Sequence, residues 1–143
     1  MTAQDSEACR RLDAIPGIGP VTATALIAAI GNGAAFGKGR EFAAWLGLVP
    51  REYSTGGRQK LLGISKRGNS YLRRLFVQCA RAVLQQHSKH STGLSEWLGQ
   101  LMVRAHRNVV CVALANKLAR IAWAVLATGQ VYRPAAVPMA ETA

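Results

Sequence analysis

Glycine and proline divide this chain into short segments, and most of those segments have the apolar spacing of helices. Pro20 can open a helix, and the apolar, alanine-rich run of residues 21–30 ends at Gly31. Because that run is apolar on all sides, we expect its helix to be buried. Residues 40–45 predict a second, short helix that Gly47 terminates. Local signals of this kind favour a mainly helical fold.

The second half of the chain continues the helical pattern. Asn69 or Ser70 can cap a helix whose apolar positions are Leu72, Leu75, Phe76, Cys79 and Val83, while its other side holds Arg73, Arg74, Gln78 and Arg81. Residues 94–128 predict one long helix or two abutting helices, ended by Gly129. Between these halves, residues 50–69 are rich in glycine and basic side chains, which predicts a loop or a small hairpin.

Composition excludes several classes of protein. A chain of 143 residues with 50% hydrophobic side chains is long and apolar enough for one folded domain. Its three cysteines form no C-x-x-C pair, and His87 and His90 have no cysteine or carboxylate beside them, so we expect no metal site. The apolar residues 109–128 are interrupted by Asn116, Lys117 and Arg120, which favours a buried helix over a membrane span. We expect a cytoplasmic protein without a membrane partner. The three tryptophans, Trp45, Trp97 and Trp123, have apolar neighbours and are expected in the core.

Positive charge is concentrated in one part of the chain. The formal net charge is +11, and no acidic residue occurs between Glu52 and Glu96. Eight basic residues fall in that interval: Arg58, Lys60, Lys66, Arg67, Arg73, Arg74, Arg81 and Lys89. A solvated helix face usually mixes both signs, so a block of one sign indicates a polyanionic partner, of which nucleic acid is the first candidate.

The segment from Ile15 to Pro20 reads Ile-Pro-Gly-Ile-Gly-Pro and resembles the turn of a helix-hairpin-helix, expected here over about residues 12–31. Gly17 and Gly19 permit a tight turn and a close approach of the backbone, and with Ile18 they could present N–H groups to a DNA phosphate. Such binding would not depend on base sequence. A plain turn between two core helices is the alternative.

The glycine-rich basic segment contains hydroxyl groups suited to phosphate chemistry. A serine that attacks phosphorus needs donors for the non-bridging oxygens and positive charge to offset the transition state. Ser54, followed by Gly56 and Gly57 and by Arg58 and Lys60, has both kinds of group nearby in sequence. The alternative is that Ser54 and Thr55 only fill a turn or contact a phosphate. Tyr53 and Tyr71 are further candidate nucleophiles, although no feature of the sequence prefers them to Ser54, and either could stack on a base.

Taken in order, the motifs resemble a known family. A Pro-Gly-Ile-Gly turn is followed by Gly-Leu-Val-Pro-Arg-Glu-Tyr-Ser-Thr-Gly-Gly from residue 47, by Gly-Ile-Ser-Lys-Arg-Gly-Asn from residue 63, and by Ala-Asn-Lys-Leu-Ala-Arg from residue 115. Together they resemble the C-terminal domain of IS110 insertion-sequence transposases over about residues 12–132. The flanking residues 1–11 and 133–143 are expected to be an N-terminal extension and a flexible tail.

The resemblance implies a DNA recombinase that works with a structured guide RNA and forms a covalent serine–DNA intermediate. Ser54 falls on the position of the nucleophile, with Thr55 as the alternative. The residues expected to hold phosphates are Arg51, Arg58, Lys60, Lys66, Arg67, Arg73 and Arg74, together with the backbone of Gly17, Ile18 and Gly19. Paired cleavages would favour a homo-oligomer.

Members of that family also have an N-terminal RuvC-like domain that binds magnesium through four acidic residues. The acids of this chain, such as Asp5, Glu7 and Asp13, have no such pattern. We therefore expect no cofactor in this chain, a truncated or split reading frame, and no activity without the RuvC-like domain. A non-catalytic nucleic-acid-binding remnant is the alternative function. A protein that oligomerises through residues 109–127 is a third.

Overall fold

The computed structural model describes residues 3–48, 50–55, 58–64, 69–86 and 93–133. The elements in chain order are α1 (Ala3–Asp13), α2 (Pro20–Ile30), α3 (Gly39–Leu46), β1 (Pro50–Thr55), β2 (Arg58–Ile64), α4 (Ser70–Gln85), α5 (Gly93–Arg104) and α6 (Arg107–Thr128). The prediction of a mainly helical fold is confirmed, and the segment expected to be a loop or a small hairpin contains a hairpin. The assignment of α1, the following turn and α2 as a helix-hairpin-helix stays a prediction.

Helix α6 forms the centre of the fold. It packs against α1, α3, α4 and α5, and buried side chains occur along its length from Val110 to Leu126. By length and composition alone this helix could cross a membrane, but 61% of its most apolar window is buried among the other helices. A core helix meets the same two criteria, which agrees with the buried helix expected here. The sequence left open one long helix or two. The structure has two, because α5 ends at Arg104 and α6 begins at Arg107.

Helix ends coincide with the local signals in the sequence. Helix α2 has Pro20 in its first turn, and α3 ends at Gly47, whose φ of +80° is left-handed. Asn69 caps α4, since its side chain accepts a hydrogen bond from the Leu72 N–H at 3.0 Å. Gly129 ends α6 with φ of +71°. These boundaries follow from nearest neighbours in sequence.

The prediction that α2 is buried is wrong for one of its faces. Thr22, Ala23 and Leu26 are buried, but Val21 is 65% exposed. Helix α2 packs mainly against α1 and α4, so it lies at the edge of the helical layer and its outer face meets solvent. Helix α1 lies beside it and buries Ala8 and Leu12, so the core extends into the segment expected to be an N-terminal extension. Residues 134–143 lie outside the described residues.

Aromatic side chains fill the space between α3 and α4. Phe42 and Phe76 are fully buried, with ring centroids 6.2 Å apart in an edge-on arrangement. Trp45 stacks on Phe42 at 6.1 Å, as the three-residue spacing predicts, yet it is 37% exposed. The expectation that Trp45 is a core residue is therefore wrong, because its ring packs against Phe36 and Phe42 on one side and remains accessible to solvent. Trp123 is partly buried, and its indole N–H donates to the Gly33 carbonyl at 3.0 Å.

Strands β1 and β2 form an antiparallel hairpin, in which Ser54 pairs with Gln59 and Thr55 with Arg58. The register shifts between Pro50 and Glu52, at the beginning of β1. Two strands alone are marginally stable in water. The orientation of this hairpin therefore depends on how its base is attached to the helices.

Candidate nucleic-acid interface

The turn between α1 and α2 packs closely against α4. Gly17 has φ of +83°, and a Cβ at this position would lie 2.7 Å from both the Cys79 carbonyl oxygen and the Val83 Cγ2. A larger residue would therefore strain the backbone and push the turn away from α4. The sequence predicted that Gly17 lets the backbone approach DNA. In the structure, Gly17 lets the turn approach α4 closely.

The other two residues of the predicted phosphate-binding turn differ from each other. Ile18 is buried, and its N–H already donates to the Ile15 carbonyl at 3.1 Å, so that donor is used within the turn. Gly19 precedes α2 as its N-cap, and no atom lies within 4 Å of where its Cβ would be. Within residues 3–48 and the rest of the described chain, the N–H groups of Gly17 and Gly19 have no hydrogen-bond acceptor. Of the three predicted donors, these two are available to a ligand.

The base of the hairpin is held by side chains from two different helices. The Arg73 guanidinium on α4 donates to the Leu46 carbonyl at 3.3 Å, and the Asn116 amide on α6 donates to the Leu48 carbonyl at 3.3 Å. Both carbonyls belong to residues that are almost completely buried. A buried carbonyl left without a donor costs about 1–3 kcal/mol, so each contact fixes the chain where it leaves α3 for β1. We call Arg73 and Asn116 the hairpin clamp.

The predicted phosphate-binding side chains are therefore not all alike. Arg74 is exposed on α4, as the helical spacing predicts, and so is Arg81, which was not among the predicted phosphate contacts. Arg73 is instead partly buried and directed at α3. Arg51, Arg58 and Lys60 lie on the two strands, where the backbone is described and the side chains are not, and Lys66 and Arg67 lie outside the described residues.

The two candidate nucleophiles occupy neighbouring positions on β1. Thr55 is the last residue of the strand, and Ser54 precedes it. Successive residues of a strand belong to opposite faces, so Ser54 and Thr55 are not interchangeable positions of the ribbon. Both lie within a few residues of the glycine-rich turn that was expected to approach phosphate.

A buried lysine follows Asn116 on α6, and sequence reasoning did not assign it a site. Lys117 on α6 is 3% exposed, and its Nζ lies 4.6 Å from the centre of the Trp97 ring, a cation–π contact. Burial, together with the positive charge of Arg120, lowers the pKa of Lys117 from 10.5 to about 8. Burial and the neighbouring Arg40 also lower the pKa of Arg120. The sequence feature that could have indicated this buried lysine is its place inside the apolar residues 109–128.

Among residues 3–48, 69–86 and 93–133, no carboxylate lies within ion-pair distance of Lys117, and the ion pair found there joins Arg11 to Glu7 at 3.3 Å.

Histidine, cysteine and acidic side chains were also considered as metal ligands or reactive groups. No three histidine, cysteine or acidic side chains of the described residues are placed to hold a metal ion, and His87 and His90 lie outside those residues. Cys79 is buried beside the Thr22 hydroxyl at 3.5 Å, and burial raises the pKa of its thiol. This placement agrees with the packing role expected for Cys79.

A cleft of about 480 Å³ lies between α1, α2 and the end of α6, lined by Glu7, Ala8, Arg11, Ile27, Gly31, Asn32 and Leu126. None of these residues belongs to the predicted site. The cleft is therefore separate from the turn, the hairpin and the exposed arginines of α4.

Comparison with known proteins decides the family. Residues 9–110 match the family described as the transposase IS116/IS110/IS902 family. The chain belongs to this transposase family. The match covers more than half of the chain and includes the turn before α2, the hairpin and α4.

Curated relatives agree with this assignment. The chain is 52% identical over 128 residues to the transposase for insertion sequence element IS1328 of Yersinia enterocolitica, covering 90% of this chain and 38% of the relative. It is 53% identical over 125 residues to a probable family 20 transposase of Pseudomonas aeruginosa, covering 87% and 37%. For the transposase of IS1111A from Coxiella burnetii, identity is 44% over 131 residues, covering 92% and 36%. The transposase chain thus spans a little over a third of the length of these relatives.

Proposed function

We propose that this chain is a DNA-binding transposase domain that contributes Ser54 as the nucleophile of DNA strand exchange. The observation that supports the proposal most is the place of Ser54. It lies on a hairpin that leaves a helical body at a clamped base, inside the interval between Glu52 and Glu96 that holds eight basic and no acidic residues. Family membership supplies the link to transposition.

In the proposed reaction the Ser54 Oγ attacks a backbone phosphorus. A new Oγ–P bond forms, the bond from phosphorus to one sugar oxygen breaks, and the serine proton leaves to solvent or a base while the sugar oxygen is protonated. A free hydroxyl of another strand then attacks the same phosphorus and releases serine. Each step exchanges one phosphodiester bond for another, so strand exchange needs no external energy source.

Positive charge would act twice in this scheme. Arg74 and Arg81 on α4 supply exposed guanidinium groups for duplex phosphates, and the Gly17 and Gly19 N–H groups supply neutral donors at a second point. Arg51, Arg58, Lys60, Lys66 and Arg67 are proposed to surround the reacting phosphate. Such contacts carry no base information, so we propose that a guide RNA supplies the target sequence.

Among the described residues, no three histidine, cysteine or acidic side chains form a group that could hold a metal ion, and we derive no step through magnesium. We propose that a RuvC-like domain outside this sequence binds magnesium and that Ser54 acts in the assembled, oligomeric transposase on cytoplasmic, nucleoid DNA.

Binding is tested by titrating the chain with duplex DNA and with structured RNA across a salt series. Arg74→Ala should weaken binding several-fold and make the slope of log affinity against log salt shallower by about 1, as expected for one lost phosphate contact. Arg107→Ala, an equal loss of charge at an exposed position on α6, is the matched control and should have little effect. Equal effects of both variants, or a flat salt response of the wild type, would contradict the proposal.

Catalysis is tested in a chimaera in which this chain replaces the matching segment of the IS1328 transposase. Ser54→Ala should abolish strand exchange and leave DNA affinity nearly unchanged. Retained exchange would reject Ser54 as the nucleophile. DNA binding by the wild type without any exchange or adduct would instead indicate the alternative function, a non-catalytic nucleic-acid-binding remnant.

A further inference from the structure

The chain leaves α3 for β1 through a segment whose backbone groups are held on both sides. The Gly47 N–H donates to the Ala44 carbonyl and the Leu48 N–H donates to the Ala43 carbonyl, each at 3.0 Å. The carbonyls of Leu46 and Leu48 accept from Arg73 and Asn116, the hairpin clamp. The donors of this segment are thus fixed by α3 itself, and its acceptors are fixed by α4 and α6.

These contacts link distant parts of the sequence. Arg73 lies 27 residues after Leu46, and Asn116 lies 68 residues after Leu48. Helix ends normally leave their last carbonyls without intrahelical partners. Here the carbonyl of Leu46, the last residue of α3, and the carbonyl of Leu48, two residues beyond it, accept from side chains of two other helices, so the direction in which the chain leaves α3 is set by the helical body as a whole.

A small change at this base would be magnified at the candidate nucleophile. Ser54 is four residues beyond the beginning of β1, which is about 13 Å at the usual rise of a strand. A tilt of about 5° at the base would therefore move Ser54 by about 1 Å, and a misplacement of that size can reduce a reaction rate about a hundredfold. Among the described residues the sheet has only these two strands, so no third strand braces the hairpin against such a tilt.

We infer that Arg73 and Asn116 are positioning residues that set the orientation of the Ser54 hairpin on the helical body. Their structural effect is independent of the proposed reaction, whereas their effect on rate rests on the proposed function. The inference also gives Arg73 and Arg74 different roles. Arg74 is exposed and can contact a phosphate, whereas the guanidinium of Arg73 donates to the Leu46 carbonyl.

The first test is Asn116→Asp, which keeps the shape of the side chain and replaces its N–H donor by an oxygen facing the Leu48 carbonyl. Asn108→Asp, at an exposed position of α6, makes the same change of charge and is the matched control. Amide hydrogen exchange is measured in the chain at Gly47, Leu48 and the strands, with α2 amides as the internal reference. Asn116→Asp should speed exchange at the base and the strands at least tenfold and leave α2 unchanged. Equal acceleration everywhere, or none, would overturn the inference.

The second test compares Arg73→Lys with Arg74→Lys, since both variants keep the charge. Arg73→Lys loses the planar guanidinium and should speed exchange at Leu48 and the strands, whereas Arg74→Lys should not. In the chimaera, Asn116→Asp and Arg73→Lys should slow covalent adduct formation at least tenfold with DNA affinity within twofold of the wild type. Wild-type adduct rates in both variants would refute a positioning role. If the wild type forms no adduct, that result counts only against Ser54 as the nucleophile. Amide hydrogen exchange in the variants still decides whether Arg73 and Asn116 orient the hairpin.

Discussion

Replacing Lys117 by methionine should stabilise this protein at neutral pH. The lysine is almost completely buried on α6, and its ammonium group contacts the Trp97 ring and lies near the Arg120 charge. Methionine has a similar length and no charge, so it can fill the same space without the cost of burying a cation. The difference in the free energy of unfolding between the variant and the wild type therefore measures the stability that the buried lysine costs.

The size of the effect follows from proton linkage. The pKa of Lys117 is about 8 in the fold and 10.5 when exposed, so between these values the unfolded chain binds a proton that the folded chain has released. Stability of the wild type must then rise with pH, by about 1.4 kcal/mol for each pH unit in this window and by up to about 3 kcal/mol in all. Below pH 8 the full cost is present. Loss of the cation–π contact offsets about 0.5–2 kcal/mol of the gain in the variant.

Urea unfolding of the wild type and of Lys117→Met at several pH values between 7 and 10 checks this reasoning. The free energy of unfolding should favour the variant at pH 7, and its advantage should shrink as the pH rises through 8. Titration of Cys79 and Tyr132 affects both proteins alike and cancels in the difference. Lys38→Met, at an exposed position, controls for the loss of one positive charge. An advantage that is the same at all pH values would refute the account of Lys117.

Two further predictions concern the local structure around the site. Gly17→Ala should destabilise the fold by about 2–4 kcal/mol in urea unfolding, because its φ is positive and its Cβ would meet α4, while Gly19→Ala should cost at most about 1 kcal/mol; similar values for the two would contradict the packing described for the turn. Asn69→Ala should cost about 1 kcal/mol through loss of the α4 cap, with exposed Gln78→Ala close to neutral as its control; an unchanged midpoint of denaturation for Asn69→Ala would show that the cap contributes nothing.

Sequence signals gave the helix boundaries correctly where the cause is local. Pro20, Gly47, Asn69 and Gly129 each act on the turn of helix next to them, so their effect can be predicted without the rest of the fold. The same reasoning could not predict exposure of Val21, because that depends on how many helices cover α2.

The candidate site was predictable as a region and not in its contacts. Helical spacing placed Arg73 with Arg74 on the outer side of α4, yet Arg73 lies at the edge of that side and reaches Leu46, far away in sequence. Asn116 and Lys117 lie in a motif that carries the family resemblance, but what they contact is decided by the packing of α6 against α3 and α5. The sequence singled out Gly17 for a tight turn and a close approach to DNA; the structure shows the positive φ and a close approach to α4, and the phosphate-binding role stays a prediction.

The central claim, that Ser54 is the residue joined to DNA, is tested most directly by trapping the adduct. The chimaera is incubated with DNA and structured RNA, denatured, and digested, and the peptide attached to a nucleotide is identified by mass spectrometry. The account predicts a nucleotide on Ser54, present in Thr55→Ala and absent in Ser54→Ala. A nucleotide on Thr55 or on a tyrosine, or an adduct that persists in Ser54→Ala, would contradict it.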